Sequence, residues 1–203
     1  MWQRTVQSPS SVQASVKKIH LNWAGKEKTR NGPHATKKEN NEGDSMVKEK
    51  TLAIIKPDAV NRGLIGQIVN RFERKGLKIV AMKMEYIEEE KLKCHYEHHK
   101  DKAFFQELIE FMHSVPSVIF VLEGKQAVEV VRKMCGTTCG RDAEPGTIRG
   151  DFSISMQQNV IHASENAEAA KQEIERFFDK KELSDYRKMD FDFLYCKAEK
   201  VDK

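Results

Sequence analysis

Cysteine is scarce in these 203 residues: four in all, at positions 94, 135, 139 and 196, with no C-x-x-C pair among them. That spacing excludes a disulfide-built scaffold and makes a reducing compartment the simplest setting. Long apolar runs are missing too, none approaching the ~20 residues that a bilayer-spanning helix needs. The expectation is a soluble, cytoplasmic protein without a membrane partner. An excess of one charge is absent where it would count. Of 35 basic and 31 acidic residues, eight basic and four acidic ones fall in residues 1–46, so the remainder carries 27 of each. A balanced domain argues against a general nucleic-acid surface and leaves room for a local anion site.

The length fits one domain plus an extension. Residues 1–46 are rich in Ser, Lys, Asn, Gln and Gly, without a sustained apolar period. Such a stretch buries too little apolar area to offset its ordering entropy, so it reads as a disordered N-terminal extension. Its early part is basic and contains serine, which would suit an organelle transit segment; a leader or an uncleaved tail is the preferred reading. Residues 47–203 are left as the folded, functional domain.

Thr51-Leu52-Ala53-Ile54-Ile55 is a short apolar run closed by Lys56-Pro57, and predicts a buried strand with Lys56 at its exit. Ile65, Ile68, Val69 and Phe72 fall at i, i+3, i+4 and i+7, the stripe of an amphipathic helix ending near Gly76. Residues 77–87 read as a strand, 88–96 as a short charged helix, and Phe105, Leu108, Ile109 and Met112 as a second helical stripe. A continuous apolar strand follows over 117–122, then a helix marked by Ala127, Val130, Val131 and Met134. Residues 136–152 lack any period and predict a functional loop. Residues 153–161 return to an extended pattern, and Ala167, Ala170, Ile174, Phe177 and Phe178 mark a last helix that Ser164 or Asn166 could cap. Residues 179–203, aromatic among charges, predict a tail that docks on the domain. The order β-α-β-α-α-β-α-loop-β-α predicts an α/β (α+β) ferredoxin-like split β-α-β sandwich, a four-stranded antiparallel sheet with helices packed on one face.

Chemistry concentrates near the end of this domain. Gly146-Thr147-Ile148-Arg149-Gly150-Asp151-Phe152 is a glycine-bracketed turn carrying a guanidinium, and His162 ends the apolar run that follows. A guanidinium grips phosphate bidentately and does not deprotonate, whereas an imidazole can accept a transferred group at neutral pH and release it. A bare histidine on an apolar strand is ordinarily a core histidine; the neighbours decide. Glu173 lies two helical turns after Asn166 and so faces back toward His162. A carboxylate there would accept the N–H of one ring nitrogen and leave the other lone pair free. Lys56 can reach a terminal phosphate as a point charge, and Arg132 and Arg149 can clamp phosphate oxygens, although taken singly each is ordinarily a solvated cation. The pattern points to phosphoryl transfer.

Several ordered motifs over residues 50–195 resemble the nucleoside diphosphate kinases: Ile55-Lys56-Pro57-Asp58-Ala59-Val60, Phe104-Phe105, Pro145-Gly146-Thr147-Ile148-Arg149-Gly150-Asp151-Phe152, and Asn159-Val160-Ile161-His162-Ala163-Ser164. The resemblance implies ping-pong transfer of a γ-phosphoryl group from a nucleoside triphosphate to a nucleoside diphosphate, with His162 as the phosphorylated residue. It implies that Lys56, Arg132 and Arg149 stand in the site, with Thr138 on phosphate, Asn159 on the ribose hydroxyl, Tyr96 beside the histidine, Ser164 in support and Phe104 as the face on which the base stacks. Stacking accepts any base, so broad nucleobase tolerance is expected. Mg2+ would enter bound to nucleotide phosphates, without dedicated protein ligands. The family forms hexamers or tetramers, and the tail through Tyr195 is similar to that of the hexameric members.

Three competing readings are weaker on the same residues. A ferredoxin-like nucleic-acid module lacks both an aromatic-rich strand of the RNA-recognition type and a basic excess. A non-catalytic scaffold has no use for this set of ionisable groups. A metal site around Cys94 and His98, at i and i+4, has no second ligand pair at zinc-finger spacing.

Overall fold

Apolar residues crowd β1 (Glu49–Ile55) and β3 (Ser117–Gly124) so densely that neither face of either strand suits water. The computed structural model, which describes residues 48–200, has both faces covered. With β2 (Lys78–Glu85) and β4 (Ile161–Ala163) these strands form one antiparallel sheet in the order β2-β3-β1-β4. The extension at residues 1–46 lies outside the described residues.

Successive residues of the two central strands point to opposite sides. Ala53, Ile55, Val118, Phe120 and Leu122 join the core built with α1 (Pro57–Asn61), α2 (Ile65–Arg74), α5 (Ala127–Cys135) and α6 (Ile148–Phe152). Leu52, Ile54, Ile119 and Val121 join the other, built with α3 (Glu89–His95), α4 (Phe105–His113) and α7 (Ala167–Phe177). The sheet and its order are those of the ferredoxin-like sandwich, but helices covering one face only is corrected to helices on both. The sequence carried the reason: strands buried on both faces read as continuous apolar runs, not as alternation. Full burial of each large side chain, Phe72, Phe120 and Ile54 among them, contributes about 1.5–3 kcal/mol.

Three local features differ from the sequence pattern and shape the site. Pro57 ends β1 and also starts α1, since its fixed φ and missing N–H suit the first position of a helix. The loop at 136–152 contains α6, capped by Thr147, whose Oγ1 accepts from Gly150 N at 3.1 Å. Only glycine fits at 150, where a Cβ would lie 2.1 Å from the Glu144 carbonyl oxygen. Residues 153–160, expected to be extended, are not strand; β4 begins at Ile161. Their serines fold the segment on itself: Ser153 Oγ donates to Gln158 O at 3.0 Å, and Gln158 N donates to Ser155 Oγ at 3.2 Å.

Asn166 caps α7, its Oδ1 accepting from Ala169 N at 2.9 Å. Ser164, the other candidate cap, turns inward instead. Beyond α7 the tail crosses the outer edge of β2, where Ser184 N donates to Val80 O at 2.7 Å and Tyr186 OH to Ile79 O at 2.9 Å. These bonds occupy carbonyls that an edge strand would otherwise leave open.

Candidate active site

β4 pairs with β1 over three residues, so that His162 stands opposite Ile54. That register directs the imidazole to the side covered by α3 and α7. From α7, Glu173 meets it: Oε1 and Oε2 lie 3.1 and 3.2 Å from His162 Nε2. Ser164 Oγ donates to Glu173 Oε2 at 2.6 Å and also bridges to the backbone of Leu52 in β1. Burial works against the charge on Glu173, but the bonds from His162 and Ser164 and the nearby Arg176 outweigh it and hold the carboxyl below its ordinary range. A charged carboxylate engaging Nε2 fixes the proton there and leaves Nδ1 with the free lone pair.

The backbone entering β4 is strained. Val160 has φ of +62°, a left-handed conformation that a β-branched residue rarely adopts. Both its peptide groups are clamped: its N–H donates to Asp58 Oδ2 at 3.0 Å and its carbonyl accepts from Lys56 N at 3.0 Å. Asp58, whose acidity burial weakens, thus ties the start of α1 to the approach of His162.

Cations line the same cleft. Lys56 Nζ is buried and donates to Asn159 Oδ1 at 2.6 Å, while Asn159 Nδ2 donates to the carbonyls of Thr138 and Met156. Burial, with Arg149 adding to it and Asp58 opposing, lowers the Lys56 pKa to about 8. Arg149 is anchored by carbonyls, Nη1 to Gly136 O at 2.6 Å and Nη2 to Ile161 O at 2.7 Å, while its Nε finds no partner among the described residues. Arg132 and Thr138 are exposed at the rim. Phe104 is 43 % exposed, with His99 against its edge at 5.4 Å between centroids. Tyr96 is buried, its ring at 87° to that of His162 and 6.0 Å away, and its hydroxyl has no partner among the described residues and is made less acidic by burial.

Nine of the ten residues singled out from sequence line one cleft of about 1270 Å3, and the tenth, Ser164, stands behind Glu173. Sequence reasoning missed His95, Arg176 and the Asp58–Val160 clamp. His95 packs edge-on to His162 at 4.6 Å, and Arg176 reaches it from α7. The available signal was the spacing from Glu173 to Arg176, one helical turn on the same face. His95, His162 and Glu173 are the one group of three metal-type ligands among the described residues, but the guanidinium beside His95 opposes a cation there. Cys94 and His98 belong to no such group among the described residues.

Comparison with known proteins gives the family. The family whose profile matches residues 49–183 is described as nucleoside diphosphate kinase. The chain is 57% identical over 141 residues to the nucleoside diphosphate kinase of Pyrococcus horikoshii, covering 68% of this chain and 90% of that protein. Against that of Parabacteroides distasonis it is 49% identical over 151 residues, covering 74% of this chain and 99% of the relative. Among solved structures, the Halobacterium salinarum nucleoside diphosphate kinase in complex with CDP is similar with a TM-score of 0.71 at 45% identity, covering 72% of this chain and 98% of that one. A transition-state mimic of the Borrelia burgdorferi enzyme, with bound vanadate and ADP, is similar with a TM-score of 0.68 at 45% identity, over 72% of this chain and 96% of that one. The chain belongs to the nucleoside diphosphate kinase family and is a phosphotransferase.

Proposed function

We propose that residues 47–203 catalyse a two-step transfer through His162. Nδ1 attacks the γ-phosphorus of a nucleoside triphosphate; the bond to the bridging oxygen breaks and its electron pair leaves with the diphosphate. A terminal oxygen of a second nucleoside diphosphate then attacks the same phosphorus, the N–P bond breaks, and the imidazole recovers its lone pair. The proton on Nε2 stays with the Glu173 contact throughout. That contact, 3.1 Å from Nε2 to Oε1, is the observation that carries the reading, because it leaves one nitrogen free on a ring facing the cleft.

The other residues supply binding and charge. Lys56, Arg132 and Arg149 neutralise phosphate oxygens, Thr138 donates to phosphate, and Asn159 holds the ribose hydroxyl while also orienting Lys56. Tyr96 packs against the reacting ring, and Phe104 presents its exposed face to the base. Similar proteins carry CDP in one case and ADP in another, which supports base tolerance by stacking. Magnesium fits as a passenger on the nucleotide. The cleft offers cations and the Thr138 hydroxyl rather than a carboxylate cage, and this ion keeps much of its water. Bound to the phosphates it would offset charge on them.

We read the assembly as a homo-oligomer, a hexamer by the likeness of the tail. Met82, Met84 and Tyr86, on or just beyond the edge strand β2, are 45, 54 and 59 % exposed and offer an apolar surface to another copy. The free thiols suit the reducing cytoplasm. Steady-state kinetics test the two-step route. Varying ATP at several fixed concentrations of a second diphosphate should give parallel double-reciprocal lines; intersecting lines require both nucleotides bound together and overturn it.

A further inference from the structure

Glu173 has two imidazoles within reach. His162 Nε2 lies 3.1 Å from Oε1, and His95 Nδ1 lies 4.0 Å from the same oxygen. Whichever ring carries a proton on the nitrogen facing that oxygen can claim it. Arg176 Nη1 stands 3.3 Å from His95 Nδ1. A guanidinium only donates, so this Nδ1 must accept, and the proton of the neutral ring sits on Nε2. We propose that Arg176 is a positioning residue that reserves Glu173 for His162 by holding His95 in its Nε2–H tautomer. The proposal rests on the reading of His162 as the phosphoryl carrier.

The surroundings of His95 leave it little alternative while Arg176 is present. The residue is 4 % exposed at the end of α3, wedged edge-on among His162, Tyr96 and Phe177 at centroid distances of 4.6, 4.5 and 5.2 Å. Its Nε2, which carries the proton in that tautomer, has no partner among the described residues, so the tautomer is set from the Nδ1 side by Arg176. The charged and titratable groups facing it are His162 on β4, Arg176 and Glu173 on α7, Tyr96 and His98 in the turn after α3, and Lys56 at the end of β1. Burial, then His162, Arg176, His98 and Lys56, hold its basicity well below the ordinary histidine value. Remove Arg176 and the balance changes: Nδ1 loses its donor, a cation leaves the group, and Glu173 becomes the nearest partner. His95 would then take a proton on Nδ1 and compete with His162 for the carboxylate.

Long-range 1H–15N correlation of the histidine side chains reads this directly in the full chain. The parent should show His95 with Nδ1 unprotonated and Nε2 protonated across neutral pH. Arg176→Leu should protonate His95 Nδ1, move the acid limb of kcat/KM to higher pH, and lower kcat about tenfold, or about 1.4 kcal/mol, with little change in KM. Arg176→Lys, which keeps a donor, should retain the parent tautomer. A parent spectrum with the proton on Nδ1 overturns the proposal even if Arg176→Leu does not fold, and so does an Arg176→Leu protein with unchanged tautomer and pH profile. A protein that forms phosphohistidine but has His95 protonated on Nδ1 refutes the positioning role alone; the predicted tautomer without phosphohistidine refutes the carrier reading alone.

Discussion

Replacing Glu173 by glutamine keeps the shape of the side chain and removes its charge. Two donors converge on the carboxylate, His162 Nε2 at 3.1 Å and Ser164 Oγ at 2.6 Å. An amide is neutral, and its NH2 group replaces one of the two oxygens that His162 Nε2 faces at 3.1 and 3.2 Å. Ser164, held by Leu52 as well, can donate to or accept from the amide, so the lasting change falls on His162, whose Nε2–H meets a neutral acceptor in place of a carboxylate. A hydrogen bond to a charged group contributes about 1.5–3 kcal/mol, so kcat/KM should fall roughly 10- to 150-fold. The loss should appear in kcat, since Glu173 contacts none of Lys56, Arg132 or Arg149. Because the folded-state acidity of Glu173 is enhanced, the carboxylate contributes stability above its unfolded pKa that disappears as pH falls through the folded value. Glutamine should remove that part of the acid dependence of unfolding. A coupled assay together with thermal melts across acid pH measures both effects. A variant with its melt intact and kcat/KM within about threefold of the parent, or a loss carried by KM, would refute the reasoning.

Lys56, with its pKa lowered to about 8, should give kcat/KM an alkaline limb near that value, because phosphate binding needs the cation. Arginine does not titrate there, so Lys56→Arg should flatten the limb whatever its plateau; an unchanged limb contradicts the assignment. The unfolded chain binds the extra proton between about 8 and the ordinary lysine value, so the Lys56 contribution to stability grows with pH across that window. Phe104→Ala should weaken nucleotide binding by about 1–3 kcal/mol for purines and pyrimidines alike, read as KM in the same assay. Asn166→Ala removes the cap of α7 and should cost about 1 kcal/mol, lowering Tm by about 2–4 °C in a calorimetric scan.

Much of this was legible because the residues concerned obey local rules. The i, i+3, i+4, i+7 stripe of Ile65 to Phe72 and the cap-and-stripe pattern from Asn166 to Phe177 mark helices whatever they pack against. Glu173 was placed opposite His162 by helical spacing alone. What local pattern could not give was set by tertiary packing. The apolar runs of β1 and β3 already called for cover on both faces, but which helices supply it depends on contacts far apart in sequence. Valine is a poor candidate for a left-handed conformation, and the clamp from Asp58 and Lys56, with burial of its side chain, holds Val160 there. Residues 153–160 look extended by composition, yet their serines bond to nearby backbone and curl the segment away from the sheet. Arg176 reads in isolation as a solvated helix arginine; its contact with His95 spans 81 residues of sequence.

The central claim is that one imidazole, oriented by a buried carboxylate, carries the phosphoryl group between nucleotides. Intact-mass spectrometry under non-acidic conditions after brief exposure to ATP without an acceptor tests it most directly. The parent should gain one phosphoryl group that ADP removes, and His162→Ala should gain none. An adduct of equal occupancy in His162→Ala, or its absence from a parent that is fully active, would contradict the account.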